Sequence, residues 1–366
     1  VTMHHASLYE AKSVNRVLFR NRIMVAPMTR ISASEDGIPG KKMQDYYARF
    51  ARGGFGAIIT EGIYIDQAWS QTYAFQPGIV NEEQLSGWKD IVEKAHQNDA
   101  RVIAQLIHAG ALSQKNIYRP DSAGPSAVKP KGHQLEFYHG SGEYRIPRAL
   151  SEEQIRDIIS SFADSAERAV SDAKFDGVEL HAANGYLLDQ FLTDYTNQRT
   201  DGWGGSLENR LAITLEVIRA VRGKIGAEKM LGVRISQGKV NDFHHKWKEG
   251  EAGARKIFGL LADAGVDYIH VTEYKSWLPA FENGDKSLVE LAREAAPETV
   301  IIANGGLDDG ETAEKLLGMG ADFVSIGKAA LANPDWPQKV RSGQPLHDLP
   351  GDILSPVADI KEKERF

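Results

Sequence analysis

Short apolar runs rich in β-branched residues alternate with amphipathic stretches of helical period along nearly all of this chain. No other feature of the sequence restricts the fold as much. The runs read as strands: "RIMVAPM" (22–28), "GAIITEGIYI" (56–65), "RVIAQLIHAG" (101–110), "GVELHAA" (177–183), "MLGVRIS" (230–236), "YIHVTE" (268–273), "VIIANGG" (300–306) and "FVSIGK" (323–328). Helical segments follow them, with apolar residues three and four positions apart. After the first strand, Met43, Tyr46, Tyr47 and Phe50 share one face. The segment from 151 opens with a capping box, Ser151 with Gln154, and carries the stripe Ile155, Ile158, Ile159, Phe162 and Ala166. Leu207, Leu211, Leu215 and Ile218 mark another helix over 206–224, and others are predicted within 82–98 and near 250–265, 285–296, 309–319 and 334–342.

Strict βα alternation requires parallel pairing with right-handed crossovers. Eight such units close a (β/α)8 TIM barrel; an open doubly wound sheet is the competing arrangement. Residues 111–150 break the rhythm and read as a long loop or hairpin insertion after strand three. A connection of that length usually has a function. The expected layout is a single domain over 1–366, with the barrel at about 20–345 and a C-terminal tail at 346–366.

Composition narrows the function. Hydrophobic residues make up 42% and charged residues 25%, enough for a large core and a water-soluble surface. The formal net charge of −7 argues against nucleic acid as a partner. The chain has no cysteine, which excludes disulfides, thiolate metal sites, cysteine-held iron–sulfur clusters and a catalytic thiol. No metal site is expected, and a reducing cytoplasm suits such a chain. No apolar run approaches the roughly 20 residues that span a bilayer. The first residues lack the charged and apolar regions of a secretory signal.

In a barrel of this kind, chemistry belongs at the C-terminal strand ends. Two of those ends are glycine-rich: Asn304-Gly305-Gly306 and Gly327-Lys328. Glycine lets backbone approach a ligand closely, and the last two strand ends of such barrels frequently hold a phosphate. The fourth strand ends in "HAANGYLLDQF" (181–191). Taken alone, His181 reads as an ordinary strand-end histidine, Asn184-Gly185 as a turn and Tyr186 as core. A barrel lyase with a phosphate-bearing substrate and a non-catalytic cofactor-binding protein both fit these features.

Five segments together carry a resemblance: "NRIMVAPMTR" (21–30), "TEG" (60–62), "QLIHAG" (105–110), "HAANGYLLDQFLTDYTNQRTDGWGGSLENR" (181–210) and "SIGKAALANPDW" (325–336). In order and spacing, from about residue 8 to 345, the chain resembles the Old Yellow Enzyme family of FMN-dependent ene-reductases. The resemblance implies non-covalent FMN at the strand ends and NADH or NADPH as hydride donor. The second substrate would be an electron-poor alkene, an α,β-unsaturated carbonyl or nitro compound, reduced at its C=C bond in a ping-pong cycle. It implies that Pro27, Met28 and Thr29 line the flavin, with the Thr29 hydroxyl near its C4 carbonyl or N5. Gly62 and Gln105 would meet the pyrimidine side and Arg234 the N1 and O2 edge. Gly305, Gly306, Gly327 and Lys328 would hold the phosphate, and Asn304 would also contact the cofactor. His181 and Asn184 would donate hydrogen bonds to the substrate oxygen, and Tyr186 would protonate the α-carbon. Ile107, Tyr274 and Trp277 would wall the substrate pocket. A homo-oligomer is compatible with the family.

Two positions depart from the family pattern. Lys328 stands where the last strand usually ends in arginine, and lysine lacks the bidentate fork for phosphate. Thr29 stands where one branch of the family has cysteine, whereas His108 in "QLIHAG" is commoner in that same branch.

Overall fold

Eight parallel strands pair side by side and close on themselves in the computed structural model, which describes residues 2–366. They are β1 (Ile23–Val25), β2 (Ala57–Ile59), β3 (Arg101–Ile107), β4 (Gly177–Asn184), β5 (Met230–Lys239), β6 (Tyr268–Thr272), β7 (Val300–Asn304) and β8 (Phe323–Ile326). β8 returns to β1 in register Val324↔Ile23, Ser325↔Met24 and Ile326↔Val25. That pairing closes the barrel and removes the open doubly wound sheet from consideration. The outer ring is α1 (Lys41–Arg52), α2 (Glu82–His96), α3 (Glu152–Glu167), α4 (Leu207–Ile225), α5 (Gly250–Asp263), α6 (Leu288–Ala295), α7 (Gly310–Gly318) and α8 (Trp336–Ser342). Among the described residues no helix is long and apolar enough to cross a membrane.

Local sequence accounts for these elements. The Ser151 hydroxyl accepts from the Gln154 backbone N–H, and the Gln154 side chain accepts from the Ser151 N–H, so two orphan donors of α3 are satisfied. Ile155, Ile158, Ile159, Phe162 and Ala166 are all buried against the barrel. The bottom of the barrel is shut by a hairpin that periodicity did not reveal, Lys12–Val14 paired with Val17–Phe19. Phe19 from this hairpin meets Phe323 edge to face at 5.2 Å, above a floor that includes Met24, Ile103 and Ile302.

The second strand is shorter than expected. It leaves the ladder after Ile59, and a separate piece, Ile63–Tyr64, rejoins β3. Tyr47 on α1 meets the chain at the break. Its hydroxyl accepts from Glu61 N–H at 3.1 Å and donates to Glu61 Oε2 at 2.7 Å. Burial pushes the Glu61 carboxyl up to about 7. The turn delivers Gly62 to the barrel mouth.

The insertion between β3 and α3 is tied by a parallel pair, Ala123–Gly124 with Arg148–Ala149, and by a bridge between His133 and Glu143. It carries Tyr138 to the mouth. The C-terminal segment folds back over the same region. Arg30, fully buried, donates to both Glu364 oxygens at 2.6 and 2.8 Å and to the Ala358 carbonyl at 3.0 Å. Removing one partner of a buried ion pair strands the other charge, at a cost of about 3–5 kcal/mol. We expect Glu364→Ala to lose about 3 kcal/mol in urea unfolding and to expose the tail to trypsin at Lys361 or Lys363. An unchanged midpoint together with an uncut tail would contradict this anchoring role.

Candidate active site

One cavity of about 270 Å³ opens at the C-terminal strand ends. From β1 it is lined by Ala26, Pro27, Met28 and Thr29, from β4 by His181, Asn184 and Tyr186, and from β8 by Gly327 and Lys328. Gly62, Gln105, Ile107, Arg234 and Asn304 complete the part legible in the sequence. An adjoining cleft of about 250 Å³ shares Pro27, Asn184, Arg234 and Val240 and continues past Phe243 and Tyr274.

His181 is 4% exposed. Burial, reinforced by the nearby Arg234 charge, lowers it to about 3, so the ring is neutral at ordinary pH. Ala183 N–H donates to its Nδ1 at 3.2 Å. The proton therefore sits on Nε2, and His181 can act as a hydrogen-bond donor. Asn184 takes a left-handed φ of 61°, followed by Gly185 at 92°, so β4 turns sharply where its last polar residue projects. The turn is held from behind. Asp189 Oδ2 accepts from Gly185 N–H at 2.7 Å, and Asp189 Oδ1 pairs with the buried Lys239 at 2.9 Å. Ser236 Oγ accepts from Asn184 N–H at 2.8 Å.

Tyr186 is buried, its ring edge-on to His181 at 5.0 Å. Burial pushes its phenol above the ordinary range, and its oxygen lies 2.5 Å from that of Tyr73. On the neighbouring strand β5, in register with His181, Arg234 is buried with little to hold. One nitrogen donates to Asn304 Oδ1 at 2.9 Å, and its Nε has no partner. A buried, charged group with an unused donor fits a ligand that accepts hydrogen bonds. Gln105 donates its amide to Glu179 at 2.8 Å, which leaves its oxygen as the remaining acceptor. A Cβ on Gly62 would come within 2.9 Å of Ile107, so glycine there leaves room for the Ile107 side chain.

The residues expected at a phosphate divide. Gly327 and Lys328 line the cavity, and Lys328 is exposed and makes no ion pair among the described residues. A free lysine at an open glycine turn fits an anionic group. Gly305 and Gly306 lie beside the cavity rather than on its lining. A Cβ on Gly305 would meet the Glu273 carbonyl at 1.7 Å, and one on Gly306 would meet the Trp277 ring at 3.0 Å. Their positive φ values, 127° and 72°, add a second requirement for glycine. Trp277 therefore packs behind the β7 turn and lines neither cavity, while Tyr274 lines the adjoining cleft and is 62% exposed.

Sequence reasoning missed Tyr138, Val240, Leu331 and Leu354, which also line the cavity. Tyr138 comes from the aperiodic insertion and Leu354 from the tail, where no local pattern marks a residue as facing a site. The loop at 244–248, "HHKWK", is tied into the fold: Trp247 is buried, Lys246 lies 3.6 Å from Glu273, and Lys248 lies 3.4 Å from Asp194.

Comparison with known proteins gives a consistent picture. Residues 7–347 match the model of the "NADH:flavin oxidoreductase / NADH oxidase family". The chain is 32% identical over 350 residues to an NADH oxidase of Thermoanaerobacter brockii, covering 93% of this chain but only 52% of that protein. It is 35% identical over 335 residues to a probable flavin mononucleotide-dependent alkene reductase of Leishmania infantum, covering 89% and 88% of the two chains. Among solved structures, the old yellow enzyme homologue from Zymomonas mobilis superposes with a TM-score of 0.87 at 29% identity, over 98% of each chain.

Proposed function

Since the chain belongs to the NADH:flavin oxidoreductase / NADH oxidase family, the Old Yellow Enzyme family, we propose that its mouth reduces the C=C bond of an α,β-unsaturated carbonyl or nitro compound in a ping-pong cycle. It is an FMN-dependent oxidoreductase that draws on NADH or NADPH. The family removes the flavin-free lyase from consideration. The observation that carries the finer reading is the placement of a neutral donor, His181, with Asn184 and Tyr186 on one cavity that also holds Arg234.

FMN, when bound, would supply the hydride-transfer chemistry that the side chains lack. Pro27, Met28, Thr29, Gly62, Gln105 and Asn304 are the residues proposed to cradle its ring. Lys328 and the glycines Gly305, Gly306 and Gly327 are proposed for its phosphate end. Arg234 is proposed to face the ring edge where negative charge gathers on reduction. His181 and Asn184 donate to the carbonyl or nitro oxygen, and such donors favour a transition state in which that oxygen becomes negative. Tyr186 gives its proton to the α-carbon. One cavity serves both substrates, so the oxidised nicotinamide leaves before the alkene enters. Ile107, Tyr138 and Leu354 shape the alkene pocket. The absence of cysteine suits a reducing compartment such as the cytoplasm.

Purified protein is expected to show flavin absorbance and to release FMN on denaturation. Anaerobic NADH or NADPH should bleach that absorbance, and cyclohexenone or maleimide should restore it. A protein that stays colourless after incubation with FMN, or that is bleached but not restored by any alkene, would overturn the proposal.

A further inference from the structure

The interior of the barrel holds a carboxylate directly beneath the cavity. Glu179 lies two residues before His181 on β4, so the two side chains point to the same side of the strand. It is fully buried. Its Oε1 accepts from the Tyr268 hydroxyl at 2.9 Å and from His270 Nδ1 at 2.8 Å, and its Oε2 accepts from the Gln105 amide at 2.8 Å. His270 Nε2 lies 2.8 Å from the Ser325 hydroxyl. Burial lowers the proton affinity of His270, so a neutral ring donates to Glu179 through Nδ1 and accepts from Ser325 through Nε2.

The strand between them is shaped for this network. Gly232 on β5 is the register partner of both Glu179 and Tyr268. A Cβ there would lie 2.1 Å from the Tyr268 ring, so only glycine lets the tyrosine cross β5 to reach the carboxylate. Two residues further along the same strand stands Arg234, in register with His181 and His270. Burial alone would raise the Glu179 carboxyl, yet His270, Arg234 and the Gln105 amide hold it below the ordinary carboxylate range. Glu179 is thus a buried anion facing a buried cation, with its remaining partners neutral.

We propose that Glu179 is a positioning residue for the cofactor: it aims the Gln105 amide and counterbalances Arg234, keeping the potential of the bound flavin below what Arg234 alone would set. This rests on the reading that the pyrimidine side of FMN lies over Gln105 and Arg234. A lone positive charge beneath a ring that gains negative charge on reduction favours the reduced state. Glu179 lowers that net charge, so neutralising it raises the potential.

The test is a potentiometric titration of the FMN-loaded protein against a reference dye. Glu179→Gln is expected to shift the two-electron equilibrium toward reduced flavin by about tenfold, a rise of about 30 mV. Arg234→Gln in the same assay is expected to shift it the other way. If Arg234→Gln lowers the potential and Glu179→Gln leaves it unchanged or lower, the counter-charge is refuted while the placement of the ring stands. If neither substitution moves the potential, the placement itself fails.

Tyr268→Phe covers the case in which Glu179→Gln does not fold. It removes one donor to the carboxylate, so Glu179 takes up a proton at higher pH. The titratable groups facing Glu179 are His181 on β4, Arg234 on β5, and Tyr268 and His270 on β6. His181 is held neutral by burial, His270 is lowered by burial against the opposing pull of Glu179, and arginine stays charged. The potential of Tyr268→Phe is therefore expected to match that of the unsubstituted protein at high pH and to rise above it as pH falls. A difference that does not vary with pH, or no difference, would overturn the proposal.

Discussion

Replacing His181 and Asn184 together by alanine is expected to slow alkene reduction by about 10²–10³-fold or more, the scale of losing one oxyanion donor. The two act as a unit on one oxygen, so the double variant should lose less than the product of the single losses. Both residues end β4 on one cavity, and both are fixed from behind, His181 by the Ala183 N–H and Asn184 by Ser236. Stopped-flow reoxidation of the reduced protein by cyclohexenone measures the effect. Absorbance before mixing shows that FMN is still bound. Full alkene turnover in the double variant would refute the roles proposed for the pair.

This donor also has a pH signature. The ordinary histidine value is near 6.5, and in the folded protein burial takes His181 to about 3. The reoxidation rate should therefore show no inflection from His181 between about pH 5 and 8. Stability behaves differently. Below about 6.5 the unfolded chain takes a proton on this residue and the folded one does not, so stability is lost progressively as pH falls from about 6.5 to about 3. An inflection in the rate near 6.5 that disappears in His181→Asn would show that the ring titrates in the site.

The second large effect is expected for Tyr186→Phe. A positioned acid contributes about 10²–10⁴-fold, and phenylalanine keeps the ring while removing the proton. Burial raises the Tyr186 phenol above its ordinary range, so it is protonated at every working pH. Tyr73, 2.5 Å away, can donate to the oxygen left when that proton departs. Water can still protonate the product in the variant, from either face and at a rate that follows buffer acidity. Reduction in D₂O separates the cases. The unsubstituted protein should place deuterium on one face of the α-carbon, and Tyr186→Phe on both. One-sided labelling at an undiminished rate in the variant would exclude Tyr186 as the donor.

Some of the site was legible because its residues sit at strand ends, and strand ends follow from periodicity. Pro27, Gln105, His181, Arg234, Asn304 and Gly327 come from six different strands, and closing the barrel brings them to one mouth. The motif around His181 was the most informative, because the Asn184-Gly185 turn that aims the polar residues is written in adjacent positions. Gly305 and Gly306 show the limit of such reasoning. Their glycine character was visible, but the close approach of Glu273 and Trp277 that requires it comes from the neighbouring loop.

The order of elements, the parallel barrel, the end that carries the chemistry and the family were determined by the sequence itself. These depend on local period, capping and short motifs, which act between residues a few positions apart. Tertiary structure decided the hairpin that seals the bottom, the break in β2, and the docking of Tyr138 and Leu354 onto the cavity. It also decided the placing of Glu179 beneath Arg234. Those contacts join residues distant along the chain through burial and paired charge, as Arg30 and Glu364 do. No local pattern encodes them, because the free energy that holds them exists only once the barrel has closed.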